Sequence, residues 1–118
     1  LKFDFNNDAG IVLNMMKKYV EFISNYKSQI DNSNPKLILS GVPLVSENSE
    51  YSKEKNKYVG ARQKSVQLNI LMKEYCHKEN ICYIDNTDLQ TGIDGVHLTK
   101  QSHKILADKI YEIIKKMI

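Results

Sequence analysis

The chain has 118 residues, 42% of them hydrophobic, and a formal net charge of +3. That length suffices for one domain with its own core, and the apolar share is that of an ordinary globular protein. Acids are interspersed among the bases, which argues against a dedicated nucleic-acid binder, and no apolar run approaches the ~20 residues of a membrane span.

Leu1 to Phe5 alternates apolar and polar residues instead of forming a continuous apolar block, so no signal peptide is read there. Cys76 and Cys82 fit neither a redox pair nor a zinc set. They read as buried thiols, with a disulfide between them as the alternative, and the usage leans towards a reducing, cytoplasmic compartment. Three histidines without a tight His/Asp/Glu set give no expectation of a metal. No cofactor is expected either.

In chain order, Leu1, Phe3 and Phe5 predict a short strand. Asn6 to Gly10 reads as a turn, with Asp8 suited to the positive end of a helix. The spacing of Val12, Met15, Met16, Tyr19, Val20, Ile23, Tyr26 and Ile30 predicts a helix from Ile11 to about Ile30. Asp31 to Pro35 breaks it. Lys36 to Ser40, with three consecutive apolar residues, reads as a strand covered on both faces, the signature of a parallel sheet. Ser46 to Lys57 is the longest loop. Its Lys53, Lys55 and Lys57, with Arg62 and Lys64, form a basic patch that reads as a solvated face. A second helix is predicted over 58–78, burying Ala61, Val66, Ile70, Leu71 and Tyr75. Ile81 to Asp85 is a further buried-type strand. After the loop from Asn86 to Leu98, Thr99 caps a last helix that buries Leu106, Ile110, Ile113, Ile114 and Met117. Strand and helix alternate throughout, which predicts right-handed crossovers and a three-layer α/β/α sandwich around a parallel sheet, flavodoxin-like in type. Ligands bind such sheets beyond the carboxyl ends of the strands.

The most informative stretch is Asp94-Gly95-Val96-His97-Leu98-Thr99. A carboxylate three residues before an imidazole can accept the proton on Nδ1, which fixes the tautomer and leaves Nε2 free as a base. Gly95 permits the tight turn that folds the two side chains together. Ionised Asp and neutral His in that relation are two of the three parts of a nucleophilic hydrolase.

Together with Ser102-His103, this block resembles the last motif of the SGNH hydrolases, the GDSL-type esterases and lipases. The resemblance implies that Asp94 and His97 complete a Ser-His-Asp triad. Asn7-Asp8, just after a strand, resembles the block in which the family places an oxyanion-hole Asn, here Asn7. Phe5 stands where the family usually has Gly. The segment from Asn34 to Pro43 and the Ile84-Asp85 strand end are similar as well. The family's Gly-Asp-Ser block, with its nucleophile, and the Gly that also serves the oxyanion hole precede all of this and are not in the chain. Residues 1–118 therefore read as the C-terminal part of a single SGNH hydrolase-like domain that lacks the first strands.

Two readings follow. The first is an ester hydrolase (esterase, lipase or deacetylase) acting on a small-molecule or carbohydrate ester, with the serine on an upstream segment. The second is a non-catalytic flavodoxin-like binding or interaction module. A local hydroxyl is the alternative nucleophile, and Ser40 at a strand end is the best placed. His103 is expected to pack or support, and His77 to lie on the surface. The upstream segment of the same domain is the expected partner. A sheet left uncovered should expose an apolar patch or pair with a second copy of the chain, as a homo-oligomer.

Overall fold

The computed structural model describes residues 8–51 and 58–118. The strand expected at Leu1 to Phe5, the oxyanion candidate Asn7, and Lys53, Lys55 and Lys57 lie outside the described residues. Among the described residues three long helices and two strands alternate: α1 (Ala9–Ser24), β1 (Ile38–Ser40), α2 (Ala61–Glu79), β2 (Cys82–Ile84) and α3 (Lys100–Met117).

The two strands pair in parallel, with Ile38 opposite Cys82, Leu39 opposite Tyr83 and Ser40 opposite Ile84. A parallel pair needs a crossover, and α2 supplies it. Alternation along the strands sends Leu39 and Tyr83 to one face. There they pack against a core of Ala9, Leu13, Leu68 and Met72 contributed by α1 and α2. The other face carries Ile84, and Lys109 and Ile113 of α3 line a groove with it. Lys109 Nζ donates to the Asp85 carbonyl and to Asp88, pinning α3 to the strand end. The result is a small α/β/α sandwich.

The helix starts follow their caps. Asp8 accepts from Ile11 N at 2.8 Å and Thr99 accepts from Ser102 N at 3.1 Å, each satisfying an amide that has no partner within the helix. Helix α1 ends at Ser24, earlier than its apolar spacing suggests, and Ile30 is 97% exposed. Residues 28–33 instead form a turn of their own: Asn32 N bonds the Ser28 carbonyl, and Asp31 Oδ1 takes the amide and hydroxyl of Ser33. Asn and Asp side chains that bond nearby backbone compete with helix in this way.

Helix α2 buries the expected Ala61 and packs the expected Leu71 and Tyr75 against the core, but the centre of its buried stripe is shifted. Val66 and Ile70 are exposed, while Ala61, Ser65, Leu68, Asn69, Met72 and Cys76 are buried. Two polar residues enter the buried face because the loop after β1 supplies their partners. In α3, Leu106, Ile110, Ile113 and Met117 are half-buried and Ile114 is exposed. Cys76 and Cys82 are free thiols; burial, with Cys82 nearby, pushes the Cys76 thiol up. Helix α1 also carries a second apolar stripe that nothing among the described residues covers: Ile11, Met15, Tyr19 and Phe22, the last 76% exposed.

Candidate active site

The carboxyl edge of the sheet is built from two loops, 41–51 after β1 and 85–99 after β2. The first leaves β1 without a break in pairing, because Gly41 N donates to the Ile84 carbonyl at 2.8 Å. A side chain at Gly41 would place its Cβ 2.4 Å from Tyr83 Oη and 2.6 Å from Asn69 Oδ1, so only glycine fits. Asn69 then treats Val42 as a strand neighbour would: its Oδ1 accepts from Val42 N at 3.0 Å and its Nδ2 donates to the Val42 carbonyl at 2.8 Å. Tyr83 Oη donates to the same Oδ1 at 2.8 Å, and burial of that phenol raises its pKa to about 12. One turn earlier in α2, Ser65 Oγ accepts from Val45 N and Arg62 donates to the Val45 carbonyl. Helix α2 thus holds residues 42–45 through their main-chain groups at Val42 and Val45, and the Val42 side chain packs against the core beside it.

The second loop closes on itself. A bridge between Thr91 and Leu98 forms its neck, supported by bonds from Gly92 N to the His97 carbonyl (2.8 Å) and from Thr99 N to the Gln90 carbonyl (3.1 Å). Gly95 lies in the left-handed region at φ +77°, which an L side chain adopts at a cost. Asp94 Oδ1 accepts from the amides of Val96 and His97, both at 3.0 Å, and its Oδ2 meets His97 Nδ1. The hydrogen bond to the imidazole, then those from the two amides, hold the Asp94 carboxyl down at about 2. It is therefore ionised at any neutral pH. The Asp94 side chain is 32% exposed and the His97 side chain 86% exposed. With Nδ1 engaged by a carboxylate, the imidazole presents Nε2 to solvent as a base with a fixed tautomer.

The loops are fastened together. Ser46 N donates to the Gly95 carbonyl at 2.8 Å, and Tyr51 N to the Ile93 carbonyl at 3.3 Å. Asn86, just past β2 and 1% exposed, joins the strand ends by donating from Nδ2 to Ser40 Oγ (2.8 Å) and to the Gly41 carbonyl (2.7 Å). Ser40 itself is exposed at the edge. Among the described residues no group of three or more His, Cys, Asp or Glu side chains could hold a metal ion.

With this geometry in hand, the chain can be set beside known proteins. No protein-family model matches it, and no curated protein does. Solved structures do. Est24, a carbohydrate acetylesterase from Sinorhizobium meliloti, superposes with a TM-score of 0.84 at 20% identity, over 99% of this chain and 56% of that one. The native aryl esterase of M. smegmatis gives a TM-score of 0.82 at 16% identity, with the same coverage. A carbohydrate acetylesterase family member from S. meliloti gives 0.83 at 17%, over 98% of this chain and 55% of that one. The chain has the fold of the SGNH hydrolases. It spans about 56% of the length of the two structures that it covers to 99%.

Within this SGNH fold the structure joins Asp94 and His97 as their spacing suggested. His103 and His77 are exposed, and the His103 amide bonds the Thr99 carbonyl in the first turn of α3. Sequence reasoning missed Asn69, Ser65 and Asn86. The first two carried a signal: polar residues four apart on the same helical stripe as Leu68, Met72 and Cys76 need partners if that stripe is buried. Asn86 carried none beyond its place after a strand.

Proposed function

We propose that residues 1–118 are the C-terminal part of an SGNH-type ester hydrolase domain in which Asp94 and His97 serve a serine carried on an upstream segment. The observation that carries this reading is the Asp94–His97 hydrogen bond in a self-closed loop beyond the last strand, with the imidazole in solvent. His97 Nε2 takes the proton of the serine hydroxyl as it attacks the ester carbonyl, and then returns it to the departing alcohol. Asp94 stays ionised and stabilises the imidazolium between those steps. Asn7 is the oxyanion donor in this reading. The fold shared with an aryl esterase and carbohydrate acetylesterases favours small esters, sugar acetates among them, as substrates. The partial span of those structures, and the uncovered stripe of Ile11, Met15, Tyr19 and Phe22, support a further segment that completes the domain.

The test is an assay on a short-chain aryl ester, with and without a serine-directed phosphonate. Residues 1–118 alone should be inert and the chain extended upstream should turn over, with the phosphonate label on an upstream serine. In the extended protein His97→Ala should remove nearly all turnover, a loss on the order of 10⁶-fold in kcat by analogy with removal of the base in a triad, while circular dichroism stays unchanged. Full turnover by the His97→Ala protein would end this reading. Label on Ser40 would relocate the nucleophile.

A further inference from the structure

The hydrogen bonding of Ser40 has a feature that the triad leaves unused. Its Oγ accepts a hydrogen bond from Asn86 Nδ2 at 2.8 Å. The amide's orientation is decided by its second bond, since the Gly41 carbonyl at 2.7 Å can only accept. Ser40 must therefore direct its own proton elsewhere. Among the described residues the acceptor it reaches is that same Gly41 carbonyl, at a long 3.4 Å, and Asn86 already occupies it. The hydroxyl proton is poorly engaged, and its oxygen is fixed from behind by a side chain 1% exposed. Holding it there has a cost: Asn86 Oδ1 is buried without a partner. A buried amide that leaves one end unsatisfied in order to orient an exposed hydroxyl is the arrangement of a ligand contact.

Position supplies the rest. Ser40 ends β1 and lies opposite Ile84 at the end of β2, so the two strand ends are about 4.8 Å apart. The chain leaving β2 carries His97, and the chain leaving β1 is bonded to that loop through Ser46 and Gly95. In an acyl transfer the base hands its proton to the leaving alcohol, so groups on the His97 side of the edge meet the alcohol portion of an ester. We infer that Ser40, oriented by Asn86, determines specificity by donating a hydrogen bond to a hydroxyl or ether oxygen on the alcohol side, so that the site prefers esters of polyols over aryl esters. This inference rests on the ester-hydrolase reading and adds the substrate class to it. Asn86 is the positioning residue.

Two measurements test it. In the extended, active protein, Ser40→Ala should raise the ratio of KM for glyceryl monoacetate to KM for phenyl acetate roughly five- to tenfold, the loss expected for one neutral hydrogen bond. The ratio of the two kcat values should hold. Asn86→Ala should move the KM ratio in the same direction, and Ser40→Thr should restore it. Equal changes for both esters would make Ser40 a structural residue and overturn the inference. In ¹⁵N-labelled residues 1–118, methyl α-glucoside should shift the Asn86 side-chain amide signals, and Ser40→Ala should abolish the shift. Shifts without turnover of either ester would uphold the site and remove the esterase reading. Turnover with neither a shift nor a change in ratio would remove the site and leave that reading standing.

Discussion

The loop from Gln90 to Thr99 and helix α1 are opposites in how they are held. The loop is mostly half-buried, and most of its geometry comes from its own bonds: Gly92 to His97, Gly95 to Gly92, Asp94 to two amides and an imidazole, with Ser46 and Tyr51 adding two ties from the neighbouring loop. The helix is largely apolar, and only one of its stripes, Ala9, Leu13 and Val20, is buried. Its other stripe is exposed, with nothing among the described residues over it. Hydrogen bonds are directional and can fix a few residues autonomously. Burial needs a second surface. The Asp94–His97 pair is therefore formed largely by local bonds, whereas part of the apolar surface of α1 has no cover among the described residues.

The sharpest way to break this comparison is Asp94→Asn. In the extended protein it should lower kcat by about 10⁴-fold, the size of the effect when an amide replaces the orienting acid of a triad. The acid side of folding should change too. The Asp94 carboxyl is held below its ordinary value in the folded state, so its contribution is fully present above about pH 4 and is lost as pH falls through about 2. Asp94→Asn should flatten the stability curve over that window, measured by urea midpoints at pH 5, 3.5 and 2.5.

Gly41→Ala attacks the loop's neighbour. With Tyr83 Oη, Asn69 Oδ1 and the Ile84 carbonyl all within 2.9 Å of the new Cβ, it should destabilise by about 3 kcal/mol. If the 90–99 loop is self-held, the His97 imidazole signals should stay as in the parent at temperatures where the variant is folded. Thr99→Ala removes the cap at the loop's exit and should cost about 1 kcal/mol in denaturant melts. The smallest effect is expected on α1. Phe22→Ser in residues 1–118 should change stability by less than about 0.5 kcal/mol, as for an exposed site. The same change in the extended protein should cost about 2 kcal/mol, because the stripe is then buried.

What could be read from the residues divides along the same line. Asp94-Gly95-Val96-His97 was legible because its interactions are local, as were the caps at Asp8 and Thr99 and the short apolar runs of β1 and β2. Features set by distant partners were not. Val66 and Ile70 satisfy a helical apolar period as well as Leu68 and Met72 do; the loop 42–45, by bonding Ser65 and Asn69, and α1, by packing on Leu68 and Met72, accompany the stripe that faces inward. The end of α1 was obscured because Tyr26 and Ile30 continue its period, while the turn through Ser28, Asp31 and Ser33 competes for the same backbone. The role of Asn86 depends on Ser40, 46 residues away, and no spacing rule reaches that far.

The closed neck of the 90–99 loop has an entropic consequence. Flexible loop residues each hold roughly 1–2 kcal/mol of backbone freedom, which has to be surrendered before a base can be aimed at a reacting group. Here that surrender accompanies folding, since the amides of Gly92, Gly95, Val96, His97 and Thr99 are already committed. An imidazole in open solvent, ordinarily among the least constrained of side chains, is thereby left with little rotational freedom.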